Sequence, residues 1–358
     1  EMNFHAYREL TSIYKLFVEK FKYKLFFILF MIITRTPLRL PIGGGGTDLP
    51  HYYTKNKGFL ITASINKYIY IILHERKFYK ESFLRYSQIE VVKDIDEIKH
   101  TRIREALRLL NVRYTLEITS IADVPARTGL GSSSSFLVGL LNALHAYKRE
   151  FISVVNLAEE ACKIDMEILK EPIGKQDQYA AAYGGIVQME INHKGKVMVS
   201  RLDIDQDTVE ELQRNLFIFY TGITRDASDI LMDQKNNNDT SQEKLIDGMN
   251  QIKNIGQNIK KALENGDTRR FGEWLNVHWE TKKTLSNKMT NPEIDRWYNL
   301  AIENGAIGGK IMGAGGGGFF MFYCDKNQKE FRKAMVNSGL KELEFQFDFD
   351  GSKILFNA

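Results

Sequence analysis

Three glycine-rich segments constrain this chain more than anything else in it: Ile42-Gly43-Gly44-Gly45-Gly46-Thr47-Asp48, Gly129-Leu130-Gly131-Ser132-Ser133-Ser134-Ser135 and Lys310-Ile311-Met312-Gly313-Ala314-Gly315-Gly316-Gly317-Gly318. Glycine loses more conformational freedom on folding than any other residue, so such runs destabilise a fold unless close approach of bare backbone offsets the cost. Each run therefore reads as backbone brought against a ligand. Between the runs the chain alternates apolar strands with amphipathic helices. Residues 32–40, 59–73, 116–121, 216–220 and 319–323 read as strands; 153–169, 174–183 and most of 242–285 read as helix. A length of 358 residues exceeds one ordinary core and suits two, so two lobes around a cleft are expected, with a boundary near 195–215.

Composition narrows the function. With 43% hydrophobic and 26% charged residues, the chain has the make-up of a globular enzyme. The net charge of +4 is small, and Lys and Arg are interleaved with Asp and Glu. Nucleic acid is not the expected partner, whereas an anionic small molecule is welcome. Cys162 and Cys324 lie in apolar stretches without metal-ligand spacing and read as buried small hydrophobes. The apolar run KLFFILFMII at 24–33 is shorter than the roughly 20 residues that span a bilayer, so no membrane partner and a cytoplasmic location are expected. Residues 1–30, rich in aromatics and lysine, read as an N-terminal extension whose status stays open and on which no function is placed.

The second glycine run is the most informative chemically. Phe136, Leu137, Leu140, Leu141 and Leu144 recur at helical spacing directly after it, so Ser132 to Ser135 occupy the first turn of a helix. Helix amino termini carry unpaired N–H groups and a positive dipole end, which makes this turn a cradle for phosphate oxygens. A serine-capped helix is the plainer alternative, but a cap needs one hydroxyl, whereas phosphate and metal together use several. The familiar nucleotide loops do not fit. No Gly-Lys pair is followed by Ser or Thr, and the G-x-G-x-x-G match at Gly313, Gly315 and Gly318 precedes a strand instead of following one and opening a helix. The protein-kinase motif set is missing as well.

From about residue 32 to the end, the order of Pro37-Leu38-Arg39 through Gly44-Gly45-Gly46-Thr47-Asp48, then Pro125 to Ser135, then Lys310 to Gly318 resembles the GHMP kinases. These small-molecule kinases are named for galactokinase, homoserine kinase, mevalonate kinase and phosphomevalonate kinase. Within that family, LPIGGGGTDLPHYY and EPIGKQDQYAAAYGG look like the branch of sugar-1-kinases that act on heptose 7-phosphates, and more distantly like fucokinase. The resemblance implies an α+β, two-lobed fold. An ATP-binding amino-terminal domain over 31–205 carries a left-handed βαβ unit, against the usual hand of such crossovers. A ferredoxin-like carboxy-terminal domain follows over 206–358.

It also implies residue roles. ATP phosphates rest on Gly129, Leu130, Gly131, Ser132, Ser133 and Ser134. Asp177 takes or orients the proton of the attacking hydroxyl, and Arg39 holds that carboxylate ionised. Mg²⁺ is met by Ser133 and by a carboxylate, Asp165 or Glu167, which lie two residues apart and so do not share a helix face. The sugar meets Gly44, Gly45, Gly46, Thr47, Asp48 and His51, with Gly315 and Gly316 closing from the other lobe. A phosphate already on the substrate is expected to meet at least one of Lys175, Arg225 and Arg127. The activity implied is ATP- and Mg²⁺-dependent phosphorylation of the anomeric hydroxyl of a sugar phosphate, with a free-sugar kinase or a non-catalytic sugar sensor as rivals, and a homodimer is compatible.

Overall fold

The computed structural model describes residues 31–223, 239–286, 288–313 and 315–358; the extension at 1–30 and Arg225 lie outside the described residues. Thirteen- and eighteen-residue strands organise the first lobe. Strand β1 (Met31–Gly43) runs antiparallel to β2 (Gly58–Glu75) along nearly its whole length, with register shifts at Pro37/Leu38 and Pro41/Gly43. Pro cannot donate to a ladder, so these shifts fall where the sequence cannot sustain regular pairing. Strand β2 is long enough to serve two partners. Its second half pairs with β5 (Leu116–Ala122), and its first half with β6 (Ile186–Ile191), which pairs in turn with β7 (Val197–Arg201).

Beyond β5 lie β3 (Ser82–Arg85) and β4 (Ile89–Val92). The pairing of β3 with β5 is parallel, and the connection between them carries β4 and helix Thr101–Leu109. This is the position of the βαβ unit that the resemblance implied. Helix Ser132–Lys148 packs across β1 and β2 and is buried on nearly all sides, as its run of Phe, Leu, Val and Ala requires.

The second sheet is built from β8 (Leu216–Tyr220), β9 (Gly308–Ile311), β10 (Phe319–Tyr323) and β11 (Lys341–Glu342) in the order β11-β8-β10-β9, all antiparallel. Numbered within the lobe this is 4-1-3-2, the split βαβ arrangement of ferredoxin-like folds. Strands LFIFY and FFMFY have no polar face, and the structure gives them none. Leu216, Ile218, Phe319, Met321 and Tyr323 join the core shared with the first lobe. The alternate residues Phe217, Phe219, Phe320 and Phe322 pack with Trp279, Trp297 and Phe331 under the outer helices. Helices Asp239–Glu264, Thr268–Lys283 and Pro292–Glu303 separate β8 from β9.

One feature departs from a simple two-part chain. The last strand, β12 (Lys353–Asn357), leaves the second lobe and pairs with β1, so the chain beyond residue 206 completes the first sheet as well as forming the second. No helix among the described residues is long and apolar enough to cross a membrane.

Candidate active site

All three glycine runs reach one cleft of about 390 Å³ between the lobes. Its first-lobe wall carries Arg39, Gly45, Gly46, Asp48, Gly129, Gly131, Ser132, Ser133, Ser134 and Asp177; Lys282, His278, Lys310, Met312, Gly313 and Gly315 line it from the second. The runs also meet each other. A Cβ on Gly129 would lie 2.8 Å from the Met312 carbonyl oxygen, and one on Gly313 would lie 2.9 Å from the Gly129 Cα. Bare backbone here serves loop-to-loop contact across the lobes as well as approach to a ligand, a use that the sequence alone does not separate from the other.

Strand β1 delivers Arg39, and helix Gln176–Tyr183 delivers Asp177 in its first turn. The Arg39 guanidinium reaches Asp177 Oδ1 through Nε at 2.8 Å and through Nη2 at 2.7 Å, while Nη1 donates to the Gly129 carbonyl at 2.6 Å. Arg39 is 5% exposed, so the pair is fixed from below and open only on the carboxylate side. Asp177 Oδ2 receives no guanidinium nitrogen and lies over Gly131, which is left-handed at φ 76°. A side chain at 131 would crowd both Asp177 and Arg39, so this glycine keeps the pair uncovered.

Helix Ser132–Lys148 begins with no side-chain cap: Gly131 stands at the N-cap, and the Ser135 hydroxyl donates instead to the Pro37 carbonyl at 2.8 Å. The plainer capped-helix reading of the serine run therefore fails. Ser132 and Ser134 are buried and Ser133 is exposed, so one hydroxyl of the turn faces open space at the cleft. Leu130 is fully buried and contributes only backbone, its carbonyl accepting from Arg39 N at 3.1 Å.

Asp48 lies against the turn before Asp177. Its Oδ2 accepts Gln176 N at 2.9 Å and its Oδ1 accepts Gly46 N at 3.1 Å. The contact is possible because residue 174 is glycine; a Cβ there would overlap the carboxylate at 1.9 Å. Burial pushes the Asp48 carboxyl above its ordinary value, and the nearby Asp177 charge adds to this, while the Gln176 N–H acts in the other direction. Gly44 and Thr47 support this turn without lining the cleft: Thr47 Oγ1 lies 2.8 Å from each of the Gly44 and Phe59 carbonyl oxygens, which share its one proton.

Several expected site residues stand elsewhere. Lys175 Nζ sits between both oxygens of Glu159, at 2.9 and 3.0 Å, off the cleft walls, so its charge is already neutralised. Asp165 is fully buried, with Oδ1 bonded to Arg102 Nε at 2.7 Å and Oδ2 to Gln178 Nε2 at 2.9 Å. Glu167 is exposed and away from the cleft; helix Val154–Cys162 continues as a wider π turn over Lys163–Ile168, which changes the facing of both acids. The carboxylate on the wall beside Arg102 is Glu171, 3.5 Å from its Nη2. His51 lies on helix Pro50–Asn56, outside the lining, and Gly316 is tied by its N–H to the Met289 carbonyl at 2.9 Å. Arg127 does line the cleft.

Sequence reasoning assigned no role to His278, Lys282 or Lys310. A signal existed: His278 and Lys282 are four apart on one helix and so share a face, and Lys310 opens the third glycine run.

Residues 99–185 match the GHMP kinases N terminal domain, and 259–342 match GHMP kinases C terminal. The D-glycero-alpha-D-manno-heptose 7-phosphate kinase of Campylobacter jejuni subsp. jejuni is 33% identical, covering 90% of this chain and 98% of that protein. The L-fucokinase/L-fucose-1-P guanylyltransferase of Bacteroides fragilis is 24% identical, covering 83% of this chain and 35% of that one. In three dimensions, a D-glycero-D-manno-heptose 1-phosphate kinase from Bacteroides thetaiotaomicron superposes with a TM-score of 0.76 and 26% identity, covering 91% of this chain and 99% of that one. The chain belongs to the GHMP kinase family, as an ATP-dependent sugar kinase.

Proposed function

We propose that this kinase phosphorylates the anomeric C1 hydroxyl of D-glycero-D-manno-heptose 7-phosphate, giving the 1,7-bisphosphate for nucleotide-activated heptose synthesis. The observation that carries the reaction is the Arg39–Asp177 pair, open on one carboxylate oxygen and set beside the uncapped serine turn. The substrate is read from the near full-length similarity to the Campylobacter enzyme.

In this reading the nucleotide phosphates lie on the N–H groups of residues 132–134. Asp48 and the backbone of Gly45 and Gly46 receive the sugar; each Asp48 oxygen holds one N–H already and retains a lone pair for a hydroxyl. Asp177 Oδ2 accepts the proton of the attacking hydroxyl as the sugar oxygen bonds to the γ-phosphorus and the bond to the β,γ-bridging oxygen breaks, releasing ADP. Arg39 holds the Asp177 carboxylate in position through its two guanidinium contacts. Mg²⁺, which supplies charge neutralisation on the nucleotide phosphates, needs only one or two protein ligands, and the exposed Ser133 hydroxyl with the Glu171 carboxylate on the same wall fits that need.

A coupled ADP-release assay across heptose 7-phosphate, heptose 1-phosphate, fucose and galactose, with products read by phosphorus NMR, tests this. A 1,7-bisphosphate made from heptose 7-phosphate is expected. Transfer to heptose 1-phosphate alone would overturn the anomeric assignment, and turnover of fucose alone would favour a free-sugar kinase like the L-fucokinase relative from Bacteroides fragilis. Silence across the panel would point to a sensor.

A further inference from the structure

The two walls of the cleft differ in one respect that the transfer reaction does not use. On the second lobe, Lys282 Nζ donates to the Gly313 carbonyl at 2.5 Å and Lys310 Nζ to the Ile42 carbonyl at 3.0 Å. Among the described residues neither ammonium meets a carboxylate; Arg39 acts on both, and Lys282 on Lys310. His278 stands beside them, 3% exposed, with neither ring nitrogen hydrogen-bonded. A buried polar group without a partner is costly, and here His278 converges on one cleft wall with two ammonium groups whose partners are neutral carbonyls.

We propose that Lys282, Lys310 and His278 form a receptor for the phosphate monoester that the sugar brings into the cleft. The proposal rests on the sugar-phosphate reading above and assigns that phosphate to residues other than Lys175, which Glu159 already neutralises. Three arguments lead to it. A monoester carries about −1.5 to −2 charge near neutrality, which complements two ammonium groups with no carboxylate among them. A neutral sugar would leave both cations uncompensated in a low-dielectric wall. The nucleotide phosphates have their own cradle on the opposite wall, whereas Lys310 lies behind the Ile42 carbonyl, at the turn that would hold the sugar ring. Burial and the Arg39 charge hold the Lys282 ammonium down to about 8; burial, with the Lys282 and Arg39 charges, holds Lys310 well below its ordinary value, and burial with the two lysine charges does the same to His278, a positive wall that an anion would relieve.

The test is calorimetric titration of the wild type, Lys282→Ala, Lys282→Arg and His278→Asn with heptose 7-phosphate and with the same heptose lacking phosphate, ADP being present. Lys282→Ala should weaken the sugar phosphate about 10- to 100-fold. It should leave the free sugar and ADP within about twofold, and Lys282→Arg should recover much of the loss. Equal weakening of both sugars, or weakening of ADP alone, would overturn the receptor and in the second case give the cluster to the nucleotide. Should the wild type bind neither heptose, the heptose reading fails separately. Inorganic phosphate and a hexose 6-phosphate then serve as probes: binding lost in folded Lys282→Ala upholds the receptor, and no binding by wild type overturns it.

Discussion

The first-lobe wall of the cleft is paired and the second-lobe wall is not. On the first, Arg39 holds Asp177, Arg102 holds Asp165 and Glu171, and Asp48 accepts two backbone N–H groups. On the second, among the described residues, two lysines rest on carbonyls and neither ring nitrogen of the histidine has a hydrogen-bond partner. A preorganised charge pair loses little reorganisation energy during reaction, which suits groups that act on the transferring phosphoryl. Uncompensated cations suit recognition, because they are satisfied only by a ligand that brings its own charge. In the reading proposed above, the first wall carries the transfer chemistry with the sugar and nucleotide contacts, and the second is left to recognise the substrate's own phosphate.

The sharpest way to break that division is Asp177→Asn. Turnover should fall by about 10²- to 10⁴-fold, the range attributed to a positioned general base, while ADP affinity measured by titration stays near wild type. Undiminished turnover would remove Asp177 from the chemistry and with it the role of the first wall. Next in size is Gly131→Ala. An L-residue held in the left-handed region costs about 1–2 kcal/mol, and the new methyl would crowd Asp177 Oδ2 at 3.2 Å and Arg39 Cγ at 3.3 Å. Misplacing that pair should lower kcat by about 10- to 100-fold with a smaller change in KM for ATP. A variant affected only in thermal stability would show that Gly131 shapes the turn and nothing more.

How much of this was legible in sequence follows from what each signal depends on. The strands and the helix opening at Ser132 came from local patterns, and the Arg39–Asp177 partnership from the family resemblance; the structure has that helix and that ion pair. The resemblance offered Asp165 and Glu167 for the metal, but which way they face depends on the π turn over 163–168, and its winding is invisible to helical spacing. Lys175 looked available because its partner Glu159 lies sixteen residues earlier on another helix. The second-wall cluster was missed for the converse reason: an ammonium without a carboxylate is a fact about three-dimensional neighbours, and Lys310 is joined to Ile42 across 268 positions.

Two further substitutions sharpen the comparison within the first wall. If Glu171 is the carboxylate on the metal side, Glu171→Gln should raise the Mg²⁺ concentration for half-maximal rate about tenfold, the order of an outer-sphere or single-ligand loss. Asp165→Asn should act instead through stability, since it leaves Arg102 without its 2.7 Å partner. The reverse pattern, a metal effect confined to Asp165→Asn, would transfer the role to the buried acid. Smaller still, Lys175→Ala should leave KM for the sugar phosphate within about twofold, because an ion pair closed in the free enzyme contributes little to ligand capture; a tenfold rise would show that Glu159 releases the lysine to substrate.

The smallest effect tests the second wall without substrate. Lys282 has its ammonium held down to about 8 by burial and by the Arg39 charge, against an ordinary value of 10.5 in the unfolded chain. Below pH 8 both states carry the proton, and the folded protein bears the full cost of a buried cation. Between pH 8 and 10.5 the unfolded chain binds more protons than the folded one, so this contribution to stability rises with pH. Replacing the ammonium by a thioether removes that dependence. Lys282→Met should therefore be more stable than wild type at pH 7, on the order of 1 kcal/mol once relaxation is allowed for, and the advantage should shrink as the pH is raised towards 10. Calorimetric melting of the two proteins across that range reads the difference directly. A gap that stays constant with pH would mean that Lys282 is solvated or paired in the free enzyme, and the contrast between the two walls would lose its strongest member.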